Sequence, residues 1–253
     1  MKKTIAALAA TTALVASGAY AATGKNVDLV FVIDDSGSMS DEGATLAARI
    51  GEVMTGIALD AAIDTVHAGV ISYTDSPTLV SAITDDATAL NTAISGISYG
   101  GAEEDGLQAM ASVLPGGSLV GDIGWRPNTV RSLVLLTDED SDDTLGEGDG
   151  YVGDLAGYTA FGNMLKNLGY LNNIIVSNGG TEYGPTANPT GAEFSLVDFV
   201  VSTNTFLEGF IKAKIGEIII TPPTGTPVVP VPAAGWLLLG GLGGLAAMRR
   251  KKS

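Results

Sequence analysis

Residues 27–40 read VDLVFVIDDSGSMS, and this stretch decides how the rest of the chain is interpreted. Its apolar run, residues 29–33, is rich in β-branched side chains and stops abruptly at Asp34. A short apolar run bounded by turn residues is typical of a strand buried in a parallel sheet. Open α/β sheets bind their ligands at the carboxyl ends of such strands. We therefore expect a ligand site directly after residue 33.

Three oxygen-bearing side chains alternate in the loop that follows the run: Asp34, Ser36 and Ser38. Because they alternate, one loop can direct all three toward a single point. A carboxylate and two hydroxyls are hard ligands, which suit Mg²⁺, Mn²⁺ or Ca²⁺. The simpler alternative is a turn formed by the serines, with Asp34 capping the next helix.

Strand and helix patterns alternate along the middle of the chain, which favours a mostly parallel sheet covered by helices on both faces. Residues 78–83 are predicted to form a short antiparallel edge strand, and residues 194–201 to contain a last strand. The other predicted strands are residues 29–33, 67–73, 132–136 and 173–177. The predicted helices are residues 41–59, 87–97, 107–114, 161–168 and 204–215.

Two later loops are also acidic. Residues 100–110 read GGAEEDGLQAM and contain Glu103 and Glu104, and residues 132–140 read SLVLLTDED and contain Asp138. With DxSxS at Asp34 and HAGVISYTD at residues 67–75, these landmarks resemble a von Willebrand factor type A (vWA) domain with a metal-ion-dependent adhesion site (MIDAS). The resemblance implies a Rossmann-like, doubly wound α/β fold.

The resemblance also implies a set of metal ligands. Asp34, Ser36 and Ser38 match the first loop of the site, and Asp138 matches the acid of the third loop, which usually acts through water. The second loop lacks the threonine that is commonest in the family and is closer to integrin β-type domains. Glu104 is then the second-loop ligand, and Glu103 is the alternative.

Asp41 and Glu42 fall where integrin β-type domains place a second, adjacent metal site. They are therefore candidate ligands of such a site here. The simpler account is that both carboxylates favour the first turn of the predicted helix, where the helix dipole attracts negative charge.

The charge of the chain excludes some partners. All 28 acidic residues lie between Asp28 and Glu217, whereas six of the 13 basic residues lie in the terminal segments. The seven remaining basic residues leave the body with a net charge of −21, against −15 for the whole chain. Nucleic acids and anionic lipids require basic surfaces, so neither is an expected partner of the body.

An enzymatic function is not expected. The sequence Asp35-Ser36-Gly37 is similar to a serine-protease nucleophile, but the only histidine, His67, lies inside an apolar strand pattern. A histidine there is usually a packed core residue, and no matching general base is visible. The chain also has no cysteine, which excludes thiolate metal sites and cysteine nucleophiles.

Both ends have the composition of processing segments. Residues 1–21 show the basic, apolar and small-residue order of a secretory signal peptide, with a buried helix as the alternative. Residues 22–220 are expected to form the vWA domain, and residues 221–232 a proline-rich linker. Residues 233–253 contain an apolar stretch of about 16 residues, which is short for a membrane span, followed by Arg249, Arg250, Lys251 and Lys252.

Residues 229–233, VPVPA, together with that tail resemble a VPLPA-type PEP-CTERM sorting signal. The resemblance implies a Gram-negative bacterium, transient anchoring in the inner membrane and recognition by an exosortase-like protease; an ordinary single-span anchor is the alternative. The sequence thus predicts an exported, non-enzymatic domain that binds an acidic group of a protein partner through a divalent cation. The alternative function is a self-assembling component of extracellular matrix or biofilm.

Overall fold

A computed structural model describes residues 24–74, 76–101, 105–141, 155–177 and 180–225. Six strands form one sheet in the spatial order third, second, first, fourth, fifth and sixth. Neighbouring strands are parallel except for the second and third, which are antiparallel. The strands are β1 (Lys25–Asp34), β2 (Ile63–Tyr73), β3 (Thr78–Thr84), β4 (Thr129–Thr137), β5 (Leu171–Val176) and β6 (Glu193–Ser195).

Strand β1 lies at the centre of the sheet, between β2 and β4. Its side chains from Val27 to Asp34 are all buried. Phe31 and Ile33 pack into the core on one face of the sheet, and Val30 and Val32 pack into the core on the other. Because both faces are covered, the strand needs apolar residues at successive positions, which explains the unbroken run in the sequence.

Helices cover both faces of the sheet. One core contains residues of α1, α2, α5 and α6, and the other contains residues of α3 and α4. The helices are α1 (Ser40–Ala58), α2 (Ala87–Ser95), α3 (Gly106–Ser112), α4 (Leu155–Leu168), α5 (Leu196–Val201) and α6 (Thr203–Ile220). None of the helices in the described ranges is long and apolar enough to cross a bilayer. The predicted doubly wound fold with one antiparallel edge strand is confirmed.

One predicted element is wrong in part. Residues 194–201 were expected to contain a strand, but β6 ends at Ser195 and α5 follows at once. The Ser195 hydroxyl oxygen accepts a hydrogen bond from the backbone N–H of Asp198 at 3.1 Å. This side-chain cap starts a helix in an apolar run that strand propensity alone would extend.

The order of the strands places a crevice between β1 and β4. The chain builds outward from β1 through β2 to β3, and then returns to the other side of β1 to build β4, β5 and β6. The loops after β1 and β4 therefore leave in different directions. In open α/β sheets this reversal, at the carboxyl ends of the strands, is where ligands bind.

The opposite end of the sheet contains an ion pair whose carboxylate is fully buried. Arg126 donates from Nε to Oδ1 of the fully buried Asp28 at 2.6 Å, and from its backbone N–H to Oδ2 at 2.8 Å. The same guanidinium also donates to Thr65 Oγ1 at 3.0 Å and to the Val27 carbonyl at 2.7 Å. Because Arg126 donates to both oxygens of the Asp28 carboxylate and to two further groups, we infer that this end of the sheet has a structural role.

A second buried ion pair joins α6 to the sheet. Lys214 Nζ donates to Glu217 Oε2 at 3.0 Å and to Ser132 Oγ of β4 at 2.7 Å, and Asn173 Nδ2 of β5 donates to the same carboxylate. Lys214 is fully buried, and this burial lowers its pKa while the charge of Glu217 opposes the shift. Each of the two charges therefore needs the opposite charge of its partner in order to be buried at low cost.

Replacing Lys214 by Met would leave Glu217 in the core without its cationic partner. We expect the Lys214→Met variant to lose about 3–5 kcal/mol of unfolding free energy, because an uncompensated buried charge is strongly unfavourable. Urea denaturation followed by circular dichroism measures the loss. Lys212→Met, at an exposed position of the same helix, is the control. Equal effects of the two substitutions would contradict this interpretation.

Candidate metal centre

The Asp34 carboxylate lies at the carboxyl end of β1, beside the end of β4. It is fully buried, and each of its oxygens accepts a hydrogen bond. The backbone N–H of Ser36 donates to Oδ1 at 2.8 Å, and the Thr137 hydroxyl donates to Oδ2 at 2.8 Å. Two donors on two different strand ends thus fix the orientation of the carboxylate.

The two serines of the first loop continue from Asp34 toward the third loop. The hydroxyl oxygens of Ser36 and Ser38 are 3.1 Å apart, and the Ser38 hydroxyl donates to Asp138 Oδ1 at 3.2 Å. Ser36 is buried, whereas Ser38 is exposed. The structure therefore brings together four of the five predicted ligands, although Ser38 and Asp138 are 100 positions apart in the chain.

The fifth predicted ligand, Glu104, and its alternative, Glu103, lie outside the described residues. The positions that flank them are described. The backbone N–H of Gly100 donates to the Asp35 carbonyl at 2.8 Å, and the N–H of Asp105 donates to the Thr74 carbonyl at 3.4 Å. Both ends of the second loop are thus attached beside the carboxyl ends of β1 and β2.

Asp138 is fixed by groups that the sequence did not single out. The Ser177 hydroxyl, just after β5, donates to the Asp138 carbonyl at 3.0 Å. The preceding residue, Thr137, accepts from the backbone N–H of Glu139 at 3.2 Å in addition to donating to Asp34. No motif predicts these contacts, because they depend on which strand ends are neighbours.

Asp41 and Glu42 occupy the first turn of α1, as predicted. Asp41 is exposed and Glu42 is half-buried. Burial raises the pKa of the Glu42 carboxyl, and the negative charges of Asp138, Asp41 and Asp34 raise it further. Within the described part of the chain, Glu42 Oε2 is buried without a hydrogen-bond partner. This oxygen is therefore available for a ligand next to the Asp34 site.

Tyr99 lies over the start of α1. Its ring occupies the space above Gly43, where any side chain would collide with it, and its hydroxyl has no hydrogen-bond partner among the described residues. Burial raises the pKa of Tyr99 to about 12, and the charges of Asp35, Glu42 and Asp34 contribute. The phenol therefore stays protonated at neutral pH and can act as a donor.

The chemistry of these side chains fits a hard divalent cation. The oxygens of Asp34, Ser36, Ser38 and Asp138 are carboxylate and hydroxyl ligands, the types that Mg²⁺, Mn²⁺ and Ca²⁺ prefer. No three His, Cys, Asp or Glu side chains of the described residues group closely enough to hold a metal alone. A centre at this crevice would therefore use the serine hydroxyls as well as the carboxylates.

Residues 28–157 match the family model of the von Willebrand factor type A domain. The match covers just over half of the chain, so the chain belongs to the von Willebrand factor type A domain family. No curated protein sequence matches the chain.

Solved structures with the same fold include two matrix or pilus proteins. Proximal thread matrix protein 1 from the mussel byssus, with a zinc-occupied MIDAS motif, has a TM-score of 0.54 and 17% identity over 76% of this chain. This chain covers 48% of that protein, about half of its length. The vWF domain of the type V pili tip protein Mfa5 from Porphyromonas gingivalis has a TM-score of 0.52 and 13% identity, over 77% of this chain and 97% of that one. At sequence identities this low, the similarity to these two structures shows a shared fold and no more.

Removing the Thr137 hydroxyl tests how much its hydrogen bond to Asp34 contributes to the stability of the fold. Thr137→Val would leave a buried carboxylate oxygen without this donor, which costs about 1–3 kcal/mol of unfolding free energy. Thermal and urea unfolding without added metal measure the change. Thr78→Val, at an exposed position of the edge strand β3, is the control. An unchanged stability in Thr137→Val would show that the hydrogen bond to Asp34 contributes little.

Proposed function

We propose that this chain is an exported domain that binds a protein partner through a divalent cation. The cation would be held by Asp34, Ser36 and Ser38 of the first loop, by Glu104 of the second and by Asp138 of the third. The observation that carries the proposal is the continuous series of contacts from Asp34 through both serines to Asp138. These contacts converge at the topological position where open α/β sheets bind ligands.

The electrostatics of the crevice support a bound cation. Burial is the main cause of the raised pKa of the Glu42 carboxyl, and the negative charges of Asp138, Asp41 and Asp34 raise it further. Carboxylates that converge in a partly buried site repel, and burying an unpaired charge costs several kcal/mol. A divalent cation would offset this repulsion and offer an open coordination position to an acidic group of a partner. Mg²⁺ is the proposed ion, with Mn²⁺ or Ca²⁺ as alternatives.

Asp41 and Glu42 are proposed ligands of a second, adjacent cation. The buried, unpartnered Oε2 of Glu42 supports this assignment, since a cation would supply the partner that the oxygen lacks. The first-turn position of both residues in α1 is also explained by the attraction between their negative charges and the helix dipole.

We propose a binding function and not an enzymatic one. In the register of β1 and β2, His67 is opposite Asp28, whereas Tyr73 is opposite Asp34. Six residues of extended strand separate His67 from Tyr73, a span of about 20 Å. The only histidine of the chain is therefore too far from Ser36 to act as its general base.

Export and sorting complete the proposal. The proposed signal peptide, residues 1–21, and the proposed sorting segment, residues 233–253, lie outside the described residues. The domain would be released to the periplasm, the cell surface or the medium of a Gram-negative bacterium after transient anchoring in the inner membrane and processing by an exosortase-like protease. The fold likeness to a thread matrix protein of the mussel byssus and to a domain of a pili tip protein supports this placement.

Calorimetric titration of the purified protein with Mg²⁺, Mn²⁺ and Ca²⁺ tests the proposed site. We expect saturable binding of at least one ion, and we expect Asp34→Ala to abolish it, because this residue supplies a buried carboxylate at the carboxyl end of β1. Ser36→Ala should weaken binding while circular dichroism shows an intact fold. Asp64→Ala, at an exposed position of β2, is the control. Absence of binding, or binding that survives Asp34→Ala, would refute the proposal.

The second candidate function is a self-assembling component of extracellular matrix. It is favoured by the strongly acidic body and by the fold likeness to a matrix protein of the mussel byssus. Light scattering with and without EDTA separates the two candidates. A monomer under both conditions favours partner binding, whereas multimers that persist in EDTA favour a structural role.

A further inference from the structure

Ser141 makes contacts that no motif of the sequence indicates. It lies three residues after Asp138 and is buried, with 4% of its surface exposed. Its hydroxyl donates to Asp105 Oδ1 at 2.9 Å and accepts from the backbone N–H of Leu107 at 3.3 Å. Its own backbone N–H donates to Tyr158 Oη of α4 at 2.8 Å. One short side chain thus joins the third loop to the start of α3.

Asp105 is the residue through which this contact reaches the second loop. Its Oδ1 also accepts from the backbone N–H of Gln108 at 2.9 Å, so that it caps α3. Its backbone N–H donates to the carbonyl of Thr74, just after β2. In the sequence, Asp105 directly follows Glu104. The Ser141 hydroxyl therefore binds the residue next to the proposed second-loop ligand.

Tight packing fixes the start of α3 in one position. Gly106 lies against the hydroxyls of Tyr73 and Tyr183, and a Cβ atom at this position would collide with both. The rings of Tyr158 and Tyr183 pack edge to face at 5.0 Å between centroids. The helix start, the third loop and α4 therefore form one close-packed unit in which Ser141 provides the polar connection.

We propose that Ser141 is a positioning residue for the metal centre. Its hydroxyl couples the third loop, which carries Asp138, to Asp105 of the second loop, and so holds the two loops in one arrangement at the proposed metal centre. This inference rests on the proposed function. Groups that hydrogen-bond a metal ligand directly typically contribute about 10- to 100-fold to metal affinity. Ser141 acts one residue further away, through Asp105, so we expect an effect at the lower end of this range.

The test compares two buried serines in the full-length protein. Ser141→Ala removes the contact between the loops. Ser112→Ala removes a hydroxyl of similar burial, which donates at 2.7 Å to the Ala109 carbonyl within α3 and connects no loops. We expect Mg²⁺ affinity, measured by calorimetry, to fall about 10-fold in Ser141→Ala and to stay within about twofold of wild type in Ser112→Ala.

Unfolding midpoints separate positioning from general destabilisation. We expect similar losses of stability in the two variants without metal, so that only the metal affinity distinguishes them. Wild-type Mg²⁺ affinity in Ser141→Ala would overturn the inference and leave the proposed function standing. Failure of the wild-type protein to bind Mg²⁺, Mn²⁺ or Ca²⁺ would overturn both.

Hydrogen exchange of the wild-type protein gives a second test that does not depend on a variant folding. The Leu107 amide donates to Ser141 Oγ, so its protection reports whether the connection is closed. We expect saturating Mg²⁺ to raise the protection of this amide, because an ion held by both loops stabilises the contact between them. Unchanged protection with metal bound would contradict the coupling.

Discussion

The buried carboxylate of Asp34 is the constraint on which the rest of the site depends. The central strand β1 is covered on both faces and ends in this acid, which is fully removed from water. Burying such a group is costly unless its oxygens are hydrogen-bonded. The loop after β1 turns back to supply the N–H of Ser36, and β4 ends beside it to supply the hydroxyl of Thr137. The loop conformation that provides these hydrogen bonds to Asp34 also brings Ser36, Ser38 and Asp138 together.

The two ends of the sheet differ in how their acids are balanced. At the amino end, the buried Asp28 is neutralised by Arg126, which also binds two further groups. Lys25 adds donors to the carbonyls of Ile218, Ile219 and Thr221 at the end of α6. At the carboxyl end, Asp34 accepts hydrogen bonds from Ser36 and Thr137, and Asp138 accepts one from Ser38. In the proposed function, a bound cation would balance the carboxylates at that end.

The sequence was sufficient for the parts of the fold that follow from local pattern. The strand before Asp34, the helix after it and the edge strand at residues 78–83 are all predicted from local sequence pattern. The run at residues 194–201 was misassigned in part, because short apolar runs fit a strand and a helix equally well. There the cap by Ser195 decides the structure, and it depends on one side-chain hydrogen bond.

Contacts across the site could not be predicted in the same way. Thr137, Ser177 and Ser141 are ordinary polar residues, and their roles follow from the register of β1, β4 and β5 and from the packing of α3. A motif names the residues that would touch an ion, but the residues that orient them are specified only by the three-dimensional arrangement. Their types are common, so no local pattern distinguishes them from other serines and threonines.

The most direct measurement is anomalous diffraction from crystals of the protein grown with Mn²⁺. The account predicts one strong peak in the crevice between β1 and β4, within coordination distance of Asp34, Ser36 and Ser38, with the Glu104 carboxylate as a further ligand and Asp138 bound directly or through water. Ordered crystals with saturating Mn²⁺ and no peak in this crevice, or a peak held only by groups elsewhere on the surface, would contradict it.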